Sequence, residues 1–164
     1  MTDEHRRDGY LISTDPALLD AEAIHHFLSR AYWSEGIPLN TVQRALEGSL
    51  CFALYEVESQ AEAMDAGRVQ QIGLARVITD FATFAYLCDV YVLEEHRGRG
   101  LGKWLIECVL ESPRLQGLRR WVLVTRDAHG LYREAGFTDL AAPERYMEIA
   151  RPGIYRVLGL DHDQ

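Results

Sequence analysis

Apolar positions change their period several times along this chain, and each change marks an element. Residues 10–14 (YLIST) form a short apolar strand that stops at Asp15-Pro16, where proline can start a helix. Leu18, Ile24, Phe27, Leu28 and Ala31 then recur at helical spacing and predict an amphipathic helix to about Arg30. Tyr32-Trp33-Ser34-Glu35-Gly36 reads as a loop. A second short helix follows Pro38, with Leu39, Val42 and Leu46 on one face and Gly48 as its stop. From Leu50 the period becomes two. Leu50, Phe52 and Leu54 alternate with Cys51, Ala53 and Tyr55, which predicts a strand over 50–57. The polar, acidic stretch 58–69 reads as an exposed connection. Residues 70–79 and 84–92 read as two further strands around a tight turn at Asp80-Phe81-Ala82-Thr83, so three successive strands form an antiparallel meander.

Beyond the meander a Gly/Arg loop at 97–102 leads into Leu101, Trp104, Leu105, Cys108 and Val109, a helical face that ends before Pro113. Trp121–Thr125 reads as a buried strand. The helix between it and strand 84–92 predicts that the two pair in parallel. Asp127 is the expected cap of a short helix through Ala135, with Gly136 ending it. Phe137 is expected to start another strand and Tyr146–Ile149 to complete the sheet. The tail, 150–164, mixes apolar and acidic residues and takes no assignment. With no internal repeat or linker, residues 1–164 read as a single domain, an α/β (α+β) fold with a mixed central sheet and flanking helices.

Composition narrows the class. Of the 164 residues, 48% are hydrophobic and 26% charged, which supplies a real core and carries no signature of disorder. A formal net charge of −8 argues against nucleic-acid binding and suits a cationic substrate such as an amine. Cys51, Cys88 and Cys108 lie in apolar runs without close pairing and read as reduced core thiols. The N-terminus has no signal-peptide pattern and no window approaches a membrane span, so a cytoplasmic protein with no membrane partner is expected. No His/Cys cluster has metal-ligand spacing, and no metal is expected.

The chemistry concentrates where a strand runs through a glycine-rich turn into a helix. Gly98, Gly100 and Gly102 clear side chains from the backbone, so N–H groups can approach an anion, and the helix beginning there adds its positive end. Arg97, Arg99 and Lys103 concentrate positive charge in an otherwise acidic chain. A Walker loop needs four residues between its glycines and a Lys-Ser/Thr ending; a dinucleotide loop needs G-x-G-x-x-G in a parallel unit. This loop reads G-x-G-x-G after a meander and fits neither.

It resembles instead the Arg/Gln-x-x-Gly-x-Gly/Ala loop of the GCN5-related N-acetyltransferase (GNAT) family, matched by Arg97, Gly100 and Gly102. Residues 125–137 (TRDAHGLYREAGF) resemble the family's other signature through Ala128, Leu131, Tyr132, Gly136 and Phe137. The resemblance covers about residues 10–149. It implies a fold in which strands 84–92 and 121–125 begin as neighbours and splay apart. The pantetheine arm of acetyl-CoA would lie in the gap, with its amides on backbone groups near Tyr91, Val92 and Leu93. The resemblance makes Arg97, Gly98, Arg99, Gly100, Leu101, Gly102 and Lys103 the phosphate cradle.

The same resemblance implies an acetyl-CoA-dependent N-acetyltransferase acting on a primary amine of a small molecule or peptide by direct attack. Tyr132 becomes the candidate proton donor to the leaving thiolate, with simple packing against the cofactor as the alternative. Asp89, on the strand lining the site, is a candidate base or ammonium partner, or else a structural carboxylate. Some relatives carry a glutamate base one position earlier, where this chain has Cys88. Glu94 and Glu95 are expected to face solvent. His129 is a lesser candidate base, and Cys88 a poor nucleophile. Tyr32, Trp33 and Glu35 are the candidate acceptor site, with core packing as the alternative for the two aromatics. Homodimers are common in the family, which makes one an expectation here. A non-catalytic acyl-CoA-binding module on the same fold remains the second reading.

Overall fold

The computed structural model describes residues 1–58 and 69–156. Six strands form one sheet in the order β1-β2-β3-β4-β5-β6. They are β1 (Glu4–Arg7), β2 (Tyr10–Ser13), β3 (Leu50–Val57), β4 (Val69–Thr79), β5 (Phe84–Val92) and β6 (Arg120–Leu123). Every neighbouring pair is antiparallel except β5 and β6, which run parallel as the intervening helix requires. The helices are α1 (Ala21–Leu28), α2 (Leu39–Glu47), α3 (Leu101–Glu111) and α4 (His129–Glu134).

The alternation in β3 explains the layers. Leu50, Phe52 and Leu54 bury on the face covered by α3, with Leu101, Leu105, Ile106 and Val109; Tyr132 of α4 joins that cluster. Cys51, Ala53 and Tyr55 bury on the opposite face against Ile24 and Leu28 of α1 and Val42 and Leu46 of α2. A central strand covered on both sides is apolar on both faces, which is why β3 is an unbroken apolar run from Leu50 to Tyr55.

Four expectations are corrected. The charged strand β1 escaped the apolar pattern, although Asp8-Gly9, both at positive φ, forms the two-residue hairpin joining it to β2. The first predicted helix opens as a separate 3₁₀ turn at Pro16–Leu18, because Asp20 takes a second cap and accepts the Ala23 N–H at 3.0 Å. Asp127 does not cap α4; the Thr125 hydroxyl accepts the Ala128 N–H at 3.0 Å. Neither Phe137 nor Tyr146–Ile149 begins a strand. The Phe137 N–H closes α4 on the Tyr132 carbonyl at 3.0 Å, and Met147 and Ile149 stand in solvent. Most of the predicted connection 58–69 lies outside the described residues.

Candidate active site

The parallel ladder between β5 and β6 pairs Phe84 with Arg120 through Leu87 with Leu123 and then stops. Beyond it a cleft lies between the two segments, lined by residues 87–90 of one and 124–128 of the other. The cause is a bulge in β5: Leu74 of β4 faces Tyr91 and Arg76 faces Cys88, so Asp89 and Val90 together oppose one residue, with Asp89 at φ +51°. A bulge bends its strand and breaks the alternation of faces. Leu87 therefore buries on the α3 face and Tyr91 on the α1–α2 face, whereas simple alternation would place them together.

Downstream of the bulge the backbone edge facing the gap becomes accessible. The Leu93 N–H donates to the Ile72 carbonyl at 2.8 Å, so it points into the sheet. By alternation the Val92 N–H points to the gap, on the same side as the Val92 carbonyl, which accepts from Arg97 Nε at 2.9 Å. Of the three backbone positions singled out there, Val92 is thus the one with its amide aimed into the gap.

The 3₁₀ turn Glu94–His96 carries the chain into the glycine loop, with Glu94 and Glu95 exposed. Gly98 and Gly100 sit at φ +79° and +74°, left-handed conformations that only glycine adopts without strain. A Cβ at Gly98, Gly100 or Gly102 would meet no atom within 4 Å, so this stretch of backbone lies open to a ligand. Gly100 is the N-cap of α3, whose first amides have no helical acceptor. Arg99 donates to the Tyr10 hydroxyl at 2.6 Å, and Lys103 lies 4.0 Å from Glu134. Leu101 is buried and anchors the helix start in the core. Open amides, a helix N-terminus and nearby cations fit the pyrophosphate of a coenzyme A thioester.

At the other end of the gap lies a cleft of about 570 Å³ lined by Tyr32, Trp33, Arg76, Cys88, Asp89 and Tyr132 among others. Asp89 accepts from Arg76 Nε at 2.7 Å and from Trp33 Nε1 at 2.8 Å, so both of its oxygens are engaged. Arg76 also donates to the Ser49 hydroxyl at 3.1 Å. The Arg76 and Asp89 side chains retain only 16% and 9% of their exposure, which makes this a largely buried pair. Burial pushes the Cys88 thiol up to about 12, with Arg76 opposing the rise and Asp89 adding to it, so the thiol stays neutral. Burial, and then the neighbouring Tyr32, push the Tyr132 phenol up to about 12 and hold it protonated. Tyr132 packs edge-on against Phe137, with ring centroids 5.9 Å apart.

Tyr32 and Trp33 do border the cleft, and neither is a core residue: they are 49% and 43% exposed. Tyr32 lies beneath the Arg126 guanidinium at 3.7 Å, and its hydroxyl accepts the Arg126 N–H at 3.3 Å. Glu35 is exposed and does not line the cleft, and His129 lies on the far side of Tyr132. The sequence pattern singled out neither Arg76 nor Tyr155, both of which line the cleft. Tyr155 comes from the unassigned tail and packs against the α1–α2 cluster. Among the described residues, no group of three or more His, Cys, Asp or Glu is arranged to hold a metal, and no helix is long and apolar enough to cross a membrane.

Comparison with known proteins agrees with this geometry. Residues 51–139 match the family model for the acetyltransferase (GNAT) domain. A protein of Gibberella zeae assigned to the acetyltransferases is 42% identical over 139 residues, covering 77% of each chain. The crystal structure of a GNAT-family protein from Xanthomonas campestris pv. campestris is 48% identical. It superposes with a TM-score of 0.81 over 92% of this chain and 99% of that one. A more distant Clostridium acetobutylicum acetyltransferase, solved with acetyl-CoA, shares the fold at 16% identity and TM-score 0.57, over 92% of this chain and 96% of its own. The fold, the open glycine loop and the splayed parallel strands converge on one assignment: this chain belongs to the GNAT family of acetyltransferases.

Proposed function

We propose that the chain transfers the acetyl group of acetyl-CoA to a primary amine of a small molecule or peptide, by direct attack with both reactants bound. The observation that carries this reading is the gap between β5 and β6, with the glycine loop at one end and the Tyr132 phenol at the other. Bound in that gap, the thioester supplies an acyl group activated for attack by nitrogen. Arg97, Arg99, Lys103 and the first amides of α3 hold the phosphates. The Val92 N–H polarises the acyl oxygen as it gains charge. Tyr132, kept protonated by burial, donates a hydrogen bond to the departing sulfur.

Asp89 serves here as an anchor more than as a base. Its charge is matched by Arg76, and its two oxygens fix Arg76 and Trp33 in the acceptor wall. Proton loss from the incoming ammonium is then left to water in the cleft. The stacked Arg126–Tyr32 pair and Trp33 present a flat, partly aromatic acceptor surface.

An assay of thiol release over an amine panel tests the reaction, and Tyr132→Phe tests the donor. We expect kcat to fall roughly 100-fold while the acetyl-CoA KM changes little. A kcat equal to that of the parent across pH would remove Tyr132 from the chemistry. Calorimetric binding of coenzyme A without turnover of any amine would favour the non-catalytic reading.

A further inference from the structure

The Asp89 cleft does not share the charge of the chain around it. The formal net charge of the whole is −8, yet the cleft is lined by two arginines, Arg76 and Arg126, and two aspartates, Asp89 and Asp127. They form two pairs of opposite character. Arg76 and Asp89 meet at 2.7 Å in a largely buried contact, and Trp33 Nε1 engages the other Asp89 oxygen at 2.8 Å. That pair is matched internally, and its carboxylate has no oxygen left over for an incoming ammonium.

Arg126 and Asp127 are different. They come no closer than 3.9 Å, and their side chains are 64% and 70% exposed, so water screens the contact and leaves it weak. Among the described residues the Arg126 guanidinium takes part in no hydrogen bond. It is nevertheless held in place. The group lies over the Tyr32 ring at 3.7 Å, while the Arg126 backbone N–H donates to the Tyr32 hydroxyl at 3.3 Å. A guanidinium resting on an aromatic ring keeps its N–H groups at its edge, where they match the two oxygens of an oxyanion. Tyr132 lines the same cleft, so an acceptor can turn its amine towards the phenol and a second group towards Arg126.

We propose that the acceptor is an amine that also carries a carboxylate, an amino acid rather than a polyamine or a plain alkylamine, and that Arg126 selects it; this rests on the acetyl-transfer reading above. The guanidinium edge receives the carboxylate, and the flat Tyr32 ring beneath keeps that edge oriented before the ligand arrives. A carboxylate suits the cleft better than a phosphate. Arg126 is its one cation without a close anionic partner among the described residues, and Asp127 beside it opposes a doubly charged group.

Calorimetry on the full chain with coenzyme A present tests the selection without reference to turnover. The ligands are pairs that share a carbon frame and differ by one carboxylate: alanine and ethylamine, phenylalanine and phenethylamine. In the parent the carboxylated member of at least one pair should bind roughly tenfold more tightly. That ratio should fall to about one in Arg126→Gln and recover in part in Arg126→Lys, which keeps the charge and loses the planar fork. Phosphoethanolamine should bind more weakly than the better amino acid. Equal affinities within both pairs, no binding by any member, a preference that survives Arg126→Gln, or tighter binding of phosphoethanolamine would overturn the assignment. Carboxylate-selective binding with no acetyl transfer to any amine would overturn the transfer reading instead and leave the Arg126 site standing.

Discussion

The glycine loop and the Asp89 cleft sit at opposite ends of one gap, and they are built by different means. The loop comes from a single run of chain, Arg97–Lys103, and works through backbone amides whose direction is set by two left-handed glycines and a helix start. The cleft draws on Tyr32 and Trp33 after α1, Arg76 in β4, Asp89 in β5, Arg126 and Tyr132 after β6, and Tyr155 from the tail. Under the proposed function the donor is held by backbone, which side-chain changes hardly disturb, and the acceptor by side chains from many segments, each free to vary.

Substitutions at the two ends should therefore fail in different ways. The largest effect is expected at the cleft. Asp89→Ala leaves the Arg76 charge largely buried without its partner, which should cost about 3–5 kcal/mol, read as a lower midpoint of chemical unfolding. If Asp89→Ala left that midpoint in place, the pair would be no anchor. At the loop, Gly100→Val should raise the acetyl-CoA KM and cost less stability than Asp89→Ala. Forcing a branched residue to φ +74° costs about 1–2 kcal/mol in the open loop, so the acetyl-CoA KM should rise roughly tenfold with the acceptor KM unchanged. An equal rise in both constants would erase the distinction between the ends.

Alkaline titration sharpens the contrast on the cleft side, where Arg76 is paired between Cys51 and Cys88 on the flanking strands. Burial pushes both thiols up to about 12 in the folded protein. In the unfolded chain a thiol titrates near about 8.5, so the unfolded state sheds protons first as pH rises. Their contribution to stability is full below about 8.5 and is lost as pH climbs towards 12. Thermal midpoints measured across that range should fall, and less steeply for a chain carrying Cys51→Ala and Cys88→Ala. Parallel slopes for the two chains would show that the thiols do not drive the loss. The smallest effect belongs to a residue in neither end. The Tyr55 hydroxyl is buried without a hydrogen-bond partner, so Tyr55→Phe should raise stability by about 1 kcal/mol and leave both KM values alone.

The same division governs what the sequence reveals. The loop was legible because its requirements are local: glycines at fixed spacing, flanking cations, a strand before and an apolar helix after. The meander and the parallel β5–β6 pair were legible because their period and connections are local too. The Asp89–Arg76–Trp33 contact was not, since it joins three distant segments through side chains whose directions depend on the β5 bulge. That bulge hides within an unbroken apolar run, and only its consequence, the exchange of faces between Leu87 and Tyr91, betrays it. Strand β1 was missed for the opposite reason. Its EHRR sequence lies at the sheet edge and carries no apolar face, and the Asp8-Gly9 turn was its one available signal.

The bulge at Asp89 binds two design variables to one position. The bulged residue of β5 also fixes Trp33 and Arg76 through its two carboxylate oxygens, so under the proposed function it shapes both the donor gap and the acceptor wall. A library aimed at new amine preferences should leave Asp89 intact and vary Tyr32, Arg126 and Tyr155, which border the cleft without shaping the strand. Randomising Asp89 itself would alter donor and acceptor fit in the same clone, and screening on either substrate alone would misattribute the result.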